Sequence, residues 1–303
     1  MYDIAIIGAG PAGLTATLYA LRADKSVIVL EKGAFGGQIT FSPKLENYPG
    51  TGTLSGNEFA EKLVEQVLDQ GADIEPETVL SVEKKDNLFN VITEDGEYEA
   101  KSVIIATGAR HRMLGLEDEE RFVGNGISFC AVCDGAFYRD REVAVIGGGN
   151  SALQEALLLS TLCKKVTVVQ NLAFFTGEER LVRELEKKDN VETILSTVVT
   201  KFEGEDELSS IVIKNTETDE TKTLAVDGVF VAIGLIPQNE PFAAHIKLDS
   251  YGYAESGEDC TTVTEGIFVA GDCRKKKVRQ VATAVGDGAV AALAACNYID
   301  EKF

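Results

Sequence analysis

The sequence predicts an α/β protein of two doubly wound, parallel-sheet domains. Three observations carry that prediction: a length of 303 residues, a strand–glycine turn–helix–strand pattern that occurs twice, and a constant offset between the two copies. At about 150 residues per domain, the chain has room for two cores. In the first copy, the apolar run Tyr2 to Ile7 enters Gly8-Ala9-Gly10-Pro11-Ala12-Gly13, a helical stretch to Ala23, and a second strand run Ser26 to Leu30 ending at Glu31. In the second copy, Glu142 to Ile146 enters Gly147-Gly148-Gly149-Asn150-Ser151-Ala152, a helix to about Leu162, and a strand Lys165 to Val169 ending at Gln170. Gly147 follows Gly8 by 139 residues, and Gln170 follows Glu31 by the same 139. Each copy continues through a hairpin-rich stretch, about 78–100 and about 196–225, to an apolar strand closing on glycine at Val103–Gly108 and Phe230–Gly234. Two Rossmann-like, three-layer domains are expected.

In the first turn each glycine has a task. Gly8 makes the tight turn, Gly10 lets backbone approach a pyrophosphate and Gly13 lets helix pack on strand, while the helix N-terminus favours the anion. Glu31, 23 residues beyond Gly8, is placed to accept two ribose hydroxyls. The second turn keeps Gly147 and Gly149, with Ala152 as the allowed third residue, but ends at Gln170-Asn171-Leu172-Ala173-Phe174-Phe175. This offers neither a carboxylate for a ribose nor a guanidinium for a 2′-phosphate, so the second copy is expected to be a nucleotide fold kept for its shape.

Composition excludes several classes. With 29 basic and 49 acidic residues the net charge is −20, which opposes general nucleic-acid or anionic-membrane binding. Apolar stretches such as Met1 to Gly13 and Gly286 to Cys296 fall short of the roughly 20 residues of a membrane span, and no basic segment precedes them. A soluble, cytoplasmic protein is expected. The six Cys (130, 133, 163, 260, 273 and 296) are too scattered for a disulfide scaffold, and only Cys130-Ala131-Val132-Cys133 invites a chemical reading. Zinc would need a second pair, whereas the other cysteines are isolated and the only histidines are His111 and His245. A redox dithiol beside a flavin is the economical reading, with a thiolate as nucleophile and Asp134 to relay the proton.

Taken together, GAGPAG, GGQ (36–38), ENYPG (46–50), CAVCDG, GGGNSA, TEGIFVAGD (264–272) and RQVATAVGDGAVAA (279–292) resemble the low-molecular-weight thioredoxin reductases, in order and over essentially the whole chain. The resemblance implies a homodimeric FAD enzyme with a discontinuous FAD-binding domain, 1–113 plus 243–303. A pyridine-nucleotide-like domain carrying the dithiol, 114–242, is inserted within it. It further implies FAD contacts at Gly8, Gly10, Ala12, Gly13, Glu31, Gly37, Gln38, Asn47, Thr107, Asp272, Arg279, Gln280 and Val281. Cys133 would be the flavin-proximal sulfur, Cys130 the attacker of the thioredoxin disulfide, and Asp134 the acid/base.

One departure stands out. Members that use NADPH follow the second strand with H-R-R-x-x-x-R for the 2′-phosphate, where this chain offers Gln170, Asn171, Leu172 and Thr176. Hydrogen bonds to charged groups contribute about 1.5 to 3 kcal/mol each, so losing two weakens NADPH by about 100-fold or more. Arg180 and Arg183 fall on the following helix, among Glu178, Glu179 and Glu184. Meanwhile Arg274-Lys275-Lys276-Lys277-Val278-Arg279 concentrates positive charge beside the FAD-contacting positions, which suits docking of a small acidic carrier such as ferredoxin. The combination resembles the ferredoxin-dependent flavin thioredoxin reductases. An NAD(P)H-dependent reductase with an atypical pocket, a dithiol oxidase and a flavin-bound redox sensor are the alternatives.

Overall fold

The structure, a computed structural model, describes residues 1–42 and 45–303. In chain order it begins with β1 (Tyr2–Ile7), α1 (Pro11–Arg22), β2 (Val27–Leu30), α2 (Gly56–Leu68), β3 (Asp73–Glu75), β4 (Val79–Lys85), β5 (Leu88–Thr93), β6 (Glu97–Ile105) and β7 (Ala109–His111). There follow α3 (Glu119–Phe122), β8 (Ile127–Ser128), α4 (Ala131–Asp134), β9 (Glu142–Ile146), α5 (Asn150–Leu159), β10 (Lys165–Val169) and α6 (Glu179–Leu185). The chain continues through β11 (Val191–Ile194), β12 (Thr197–Gly204), β13 (Leu208–Asn215), β14 (Thr221–Ala225) and β15 (Gly228–Val231), and closes with β16 (Leu235–Pro237), β17 (Ile267–Val269) and α7 (Val281–Lys302).

It divides into two units, Met1–Arg110 with Ile236–Phe303, and His111–Leu235. Both divisions fall upstream of the 113 and 243 read from the resemblance. The second is a correction with a clear cause: Phe242 is 2% exposed within a core cluster of the first unit, and Asn239, 1% exposed, donates to the Gly252 and Cys273 carbonyls of that unit. Segment 236–242 is therefore tied into the first unit.

The first unit is a seven-stranded sheet in the order β3-β2-β1-β6-β5-β4, with β17 also pairing β6. The β1–β2, β1–β6, β2–β3 and β6–β17 pairs are parallel. Strand alternation sorts the core. Ile4 and Ile6 face a cluster with α1 and α7, whereas Ala5 and Ile7 face one with Phe89, Val91 and Phe242. The hairpin expected to end near Ala100 does not end there. Its last strand runs on as β6, pairing antiparallel with β5 through Ala100 and parallel with β17 from Val103.

The second unit holds a fully parallel five-stranded sheet, β11-β10-β9-β15-β8, and a separate antiparallel sheet, β12-β13-β14. Val143 and Val145 of β9 pack with Ala152, Ala156 and Leu159 of α5, while Ala144 and Ile146 pack with Val199, Phe202, Ile211 and Ile213 of the antiparallel sheet. Helix, parallel sheet and antiparallel sheet form three layers.

One expectation about membrane spans needs correction. Helix α7, 22 residues long, is long and apolar enough to cross a membrane by length and composition. It is a core helix here: Ala291, Ala292 and Ala295 are fully buried in the cluster shared with α1.

Candidate redox and cofactor sites

In the first unit the predicted cofactor residues gather at the carboxyl ends of parallel strands, where open α/β sheets bind ligands. After β1, Gly8 takes φ +109°, and a Cβ there would lie 2.4 Å from the Ala106 carbonyl oxygen, so only glycine fits. Gly10 precedes α1, which opens on Pro11 with no side-chain cap and leaves its first N–H groups directed at the turn. At the end of β2, the Glu31 carboxylate accepts from Ala9 N–H and from Gly33 N–H, both at 2.8 Å, which fixes it beside the turn. Gly37 lies against Gly10, next to Gly36, whose N–H donates to Ala9 O at 2.7 Å. Gln38 follows, exposed, in a short helical turn at Gly37–Phe41.

Thr107, after β6, donates to Asn239 Oδ1 at 3.2 Å. Asn47 donates to Gln280 Oε1 at 3.1 Å, and Gln280 caps α7 just before Val281. After β17, Asp272 is held above its ordinary range by burial. Lys276 Nζ lies 3.3 Å from its Oδ1, yet that buried oxygen receives no hydrogen bond. Arg279 stacks on Tyr253 at 4.1 Å and donates to the Asp272 carbonyl at 3.4 Å. An uncapped helix start, the Glu31 carboxylate fixed beside the glycine turn and the buried Asp272 carboxyl fit the pyrophosphate, ribose and hydroxylated chain of a flavin dinucleotide.

The second unit carries the dithiol at the carboxyl end of edge strand β8. Cys130 and Cys133 form a disulfide with Cα atoms 5.3 Å apart. Cys130 caps α4, accepting from Cys133 N–H at its sulfur and from Asp134 N–H at its carbonyl. Val132, between the cysteines, is exposed. Ser128 is the residue the sequence reading missed. Its hydroxyl donates to Asp134 Oδ2 at 2.6 Å and accepts from Cys130 N–H at 3.1 Å, joining acid and thiol. Asp134 is 9% exposed, its Oδ1 has no partner, and burial pushes the carboxyl up against the pull of the Ser128 hydrogen bond. The neighbouring Tyr138 is pushed up to about 12 by burial and the Asp134 charge. His111 stacks on Phe129 at 4.5 Å, and burial lowers it to about 4, so it is neutral at physiological pH.

The second glycine turn is closed over by Gln170. A Cβ at Gly148 would lie 2.4 Å from Gln170 Cδ, and the Gln170 amide donates to the Phe174 carbonyl and accepts from Asn171 N–H. Leu172 and Phe174 point outward. Arg180 and Arg183 pair with Glu184 and Glu179 along α6.

The basic run beside the cofactor residues is not the free patch that charge counting suggests. Arg274 is buried, paired with Asp287 Oδ1 at 2.7 Å and donating to the Gly257 carbonyl. Lys276 pairs with the other Asp287 oxygen at 3.0 Å. The cause is Asp287 on α7, a mostly buried carboxylate that has to be neutralised. Lys275 and Lys277 remain at the surface, Lys275 paired with Glu255.

Comparison with known proteins follows the same lines. Residues 2–288 match the family described as pyridine nucleotide-disulphide oxidoreductase. A thioredoxin reductase of Treponema pallidum is 43% identical, with 99% of this chain and 97% of the relative covered. The "34.2 kDa protein in rubredoxin operon" of Clostridium pasteurianum is 40% identical over 99% of this chain and 98% of its own. The crystal structure of thioredoxin reductase from Streptococcus pyogenes superposes with a TM-score of 0.95 at 41% identity, covering 99% of both chains.

Proposed function

The chain belongs to the pyridine nucleotide-disulphide oxidoreductase family, alongside thioredoxin reductases, and from that premise we propose that it is an FAD-dependent reductase of thioredoxin. The observation that carries this is the Cys130–Cys133 disulfide with a buried carboxyl, Asp134, tethered to it through Ser128. The unit of residues 1–110 and 236–303 holds FAD through Gly8, Gly10, Ala12, Gly13, Glu31, Gly37, Gln38, Asn47, Thr107, Asp272, Arg279, Gln280 and Val281. The inserted unit is a degenerate pyridine-nucleotide-like domain, and the working form is a cytoplasmic homodimer.

FAD, when bound, supplies the two electrons that open the Cys130–Cys133 disulfide, with Cys133 the sulfur nearer the flavin. The Cys130 thiolate attacks one sulfur of the thioredoxin disulfide, and Asp134 protonates the departing sulfur. Asp134 then takes the proton of Cys133, whose thiolate attacks the Cys130 sulfur, and hands that proton to the second thioredoxin sulfur. Two electrons and two protons leave the enzyme, and its disulfide is restored.

For the donor we propose reduced ferredoxin, supported by Gln170 seated on Gly148 where a phosphate-reading cation is required. NAD(P)H is the second reading, favoured by the retained opening at Gly149, whose nearest neighbour for a Cβ would be Thr176 Oγ1 at 3.8 Å. The test is anaerobic: the yellow protein is titrated with NADPH, NADH and reduced ferredoxin, and thioredoxin thiols are counted. Ferredoxin-driven reduction supports the proposal, and rapid bleaching of the flavin by micromolar NADPH overturns the donor assignment. A protein that stays colourless after FAD soaking, or Cys130→Ser and Cys133→Ser variants that still reduce thioredoxin, overturns the function.

A further inference from the structure

Helix α5 brings a second carboxyl to the dithiol's acid. Helix α4 packs on α5, where a methyl at Gly135, just after α4, would lie 3.1 Å from Leu159. Glu155 shares a helical face with Ala152 and Leu159, and Asp134 shares one with Ala131; all three of those neighbours are buried in one cluster. Asp134 Oδ1 and Glu155 Oε2 are both sealed from solvent, and neither has a hydrogen-bond partner. Two orphaned carboxyl oxygens on facing helices are costly if both groups ionise.

We propose that Glu155 is a positioning residue for thioredoxin reduction, its buried carboxyl acting through charge on Asp134 so that Asp134 remains an acid when the departing sulfur needs it. This deepens the reading of Cys130–Cys133 as the redox pair and rests on it. Once Asp134 has given up its proton, two carboxylates face each other in a buried site, which drives prompt reprotonation from the Cys133 thiol. Burial and the Asp134 charge push Glu155 up to about 8, in keeping with a proton held near neutrality. No other charge on the elements packed most closely against α5 competes. Glu142 of β9 and Lys165 of β10 pair outward with Lys164 and Glu192, and the four charges of α6 pair among themselves. Asp134 itself faces Ser128 and Tyr138.

The experiment compares thioredoxin reduction by the flavin-loaded, dithionite-reduced protein with that by Glu155→Gln across pH. Glu155→Gln keeps the shape and removes the second buried carboxyl, so the basic limb moves down by about one pH unit, a roughly tenfold loss at about pH 8. Glu155→Asp, which restores a carboxyl, moves the limb back toward the native position. A limb that stays in place, or an equal loss at every pH, overturns the role and leaves Glu155 a packing residue. Independently, infrared difference spectra of the native protein between about pH 6 and about pH 9 should show a protonated-carboxyl band that Glu155→Gln lacks, and a native spectrum without it also overturns the role. If the native protein reduces no thioredoxin, the redox-pair reading fails instead.

Discussion

Asp134 is poised between a hydrogen bond that favours its anion and burial that favours its acid, and the two can be separated by substitution. Ser128→Ala removes the donor at 2.6 Å and strands the Cys130 N–H. Without that hydrogen bond the Asp134 carboxyl rises further, so the basic limb of thioredoxin reduction should move to higher pH, opposite to Glu155→Gln. Stability should fall by about 1 to 3 kcal/mol in urea denaturation, because the buried Asp134 carboxyl loses its donor and a partly buried N–H loses its acceptor. Neither Ser128 nor Glu155 was legible in the sequence. Ser128 sits two residues before the first cysteine with no spacing rule to mark it, and Glu155 matters only through the α4–α5 contact, which is tertiary. Glu31 was legible, because a strand end after a glycine turn fixes its place locally. Glu31→Ala should leave the Ala9 and Gly33 N–H groups without their acceptor and cut FAD affinity by about 10- to 100-fold, checked by flavin content and fluorescence titration.

At the scale of elements, β1, β9 and β10 were legible from their buried runs Ile4–Ile7, Val143–Ile146 and Val166–Val169, apolar but for Thr167, because strands buried on both faces leave little room for polar side chains. Helix α7 was harder. Gly286, Asp287 and Gly288 interrupt its apolar pattern, and the reasons for Asp287 and Gly288 lie outside the helix. Asp287 faces Arg274 and Lys276, which also shows why a run of charge in sequence does not foretell a patch in space. Gly288 sits where α7 presses directly on α1, since a Cβ there would lie 2.2 Å from the Ala12 carbonyl oxygen. Gly286, one half-turn earlier, faces nothing within 4 Å. Gly288→Ala should therefore destabilise by about 1 to 3 kcal/mol through overpacking beside the FAD turn. Gly286→Ala should stabilise by about 0.5 to 1 kcal/mol through lost unfolded-state entropy. Urea denaturation of both variants checks the contrast, and equal effects would mean that the α1–α7 contact is looser than described.

For the whole molecule, the repeated plan was legible because each half carries its own turn and its own strands, but the point of return was not. The segment 236–242 carries two breakers, Pro237 and Pro241, which mark a stop in regular structure but not the unit that the segment joins; its allegiance is decided by Phe242 in the first unit's core and by Asn239 bonded to Gly252 and Cys273. A ligand that binds only the folded first unit stabilises it by mass action, about 2.7 kcal/mol at a hundredfold excess over its dissociation constant, and amides that exchange by opening of that unit slow about 100-fold. Adding FAD to the flavin-free protein should therefore slow hydrogen exchange across residues 1–110 and 236–303 while leaving 111–235 at its former rates. Residues 236–242 are the discriminating ones: slowed exchange there assigns them to the FAD-binding unit. Unchanged exchange there, with 243–303 slowed, would return the boundary to 243 and mean that the buried Phe242 and Asn239 contacts do not hold the segment to that unit's cooperative core.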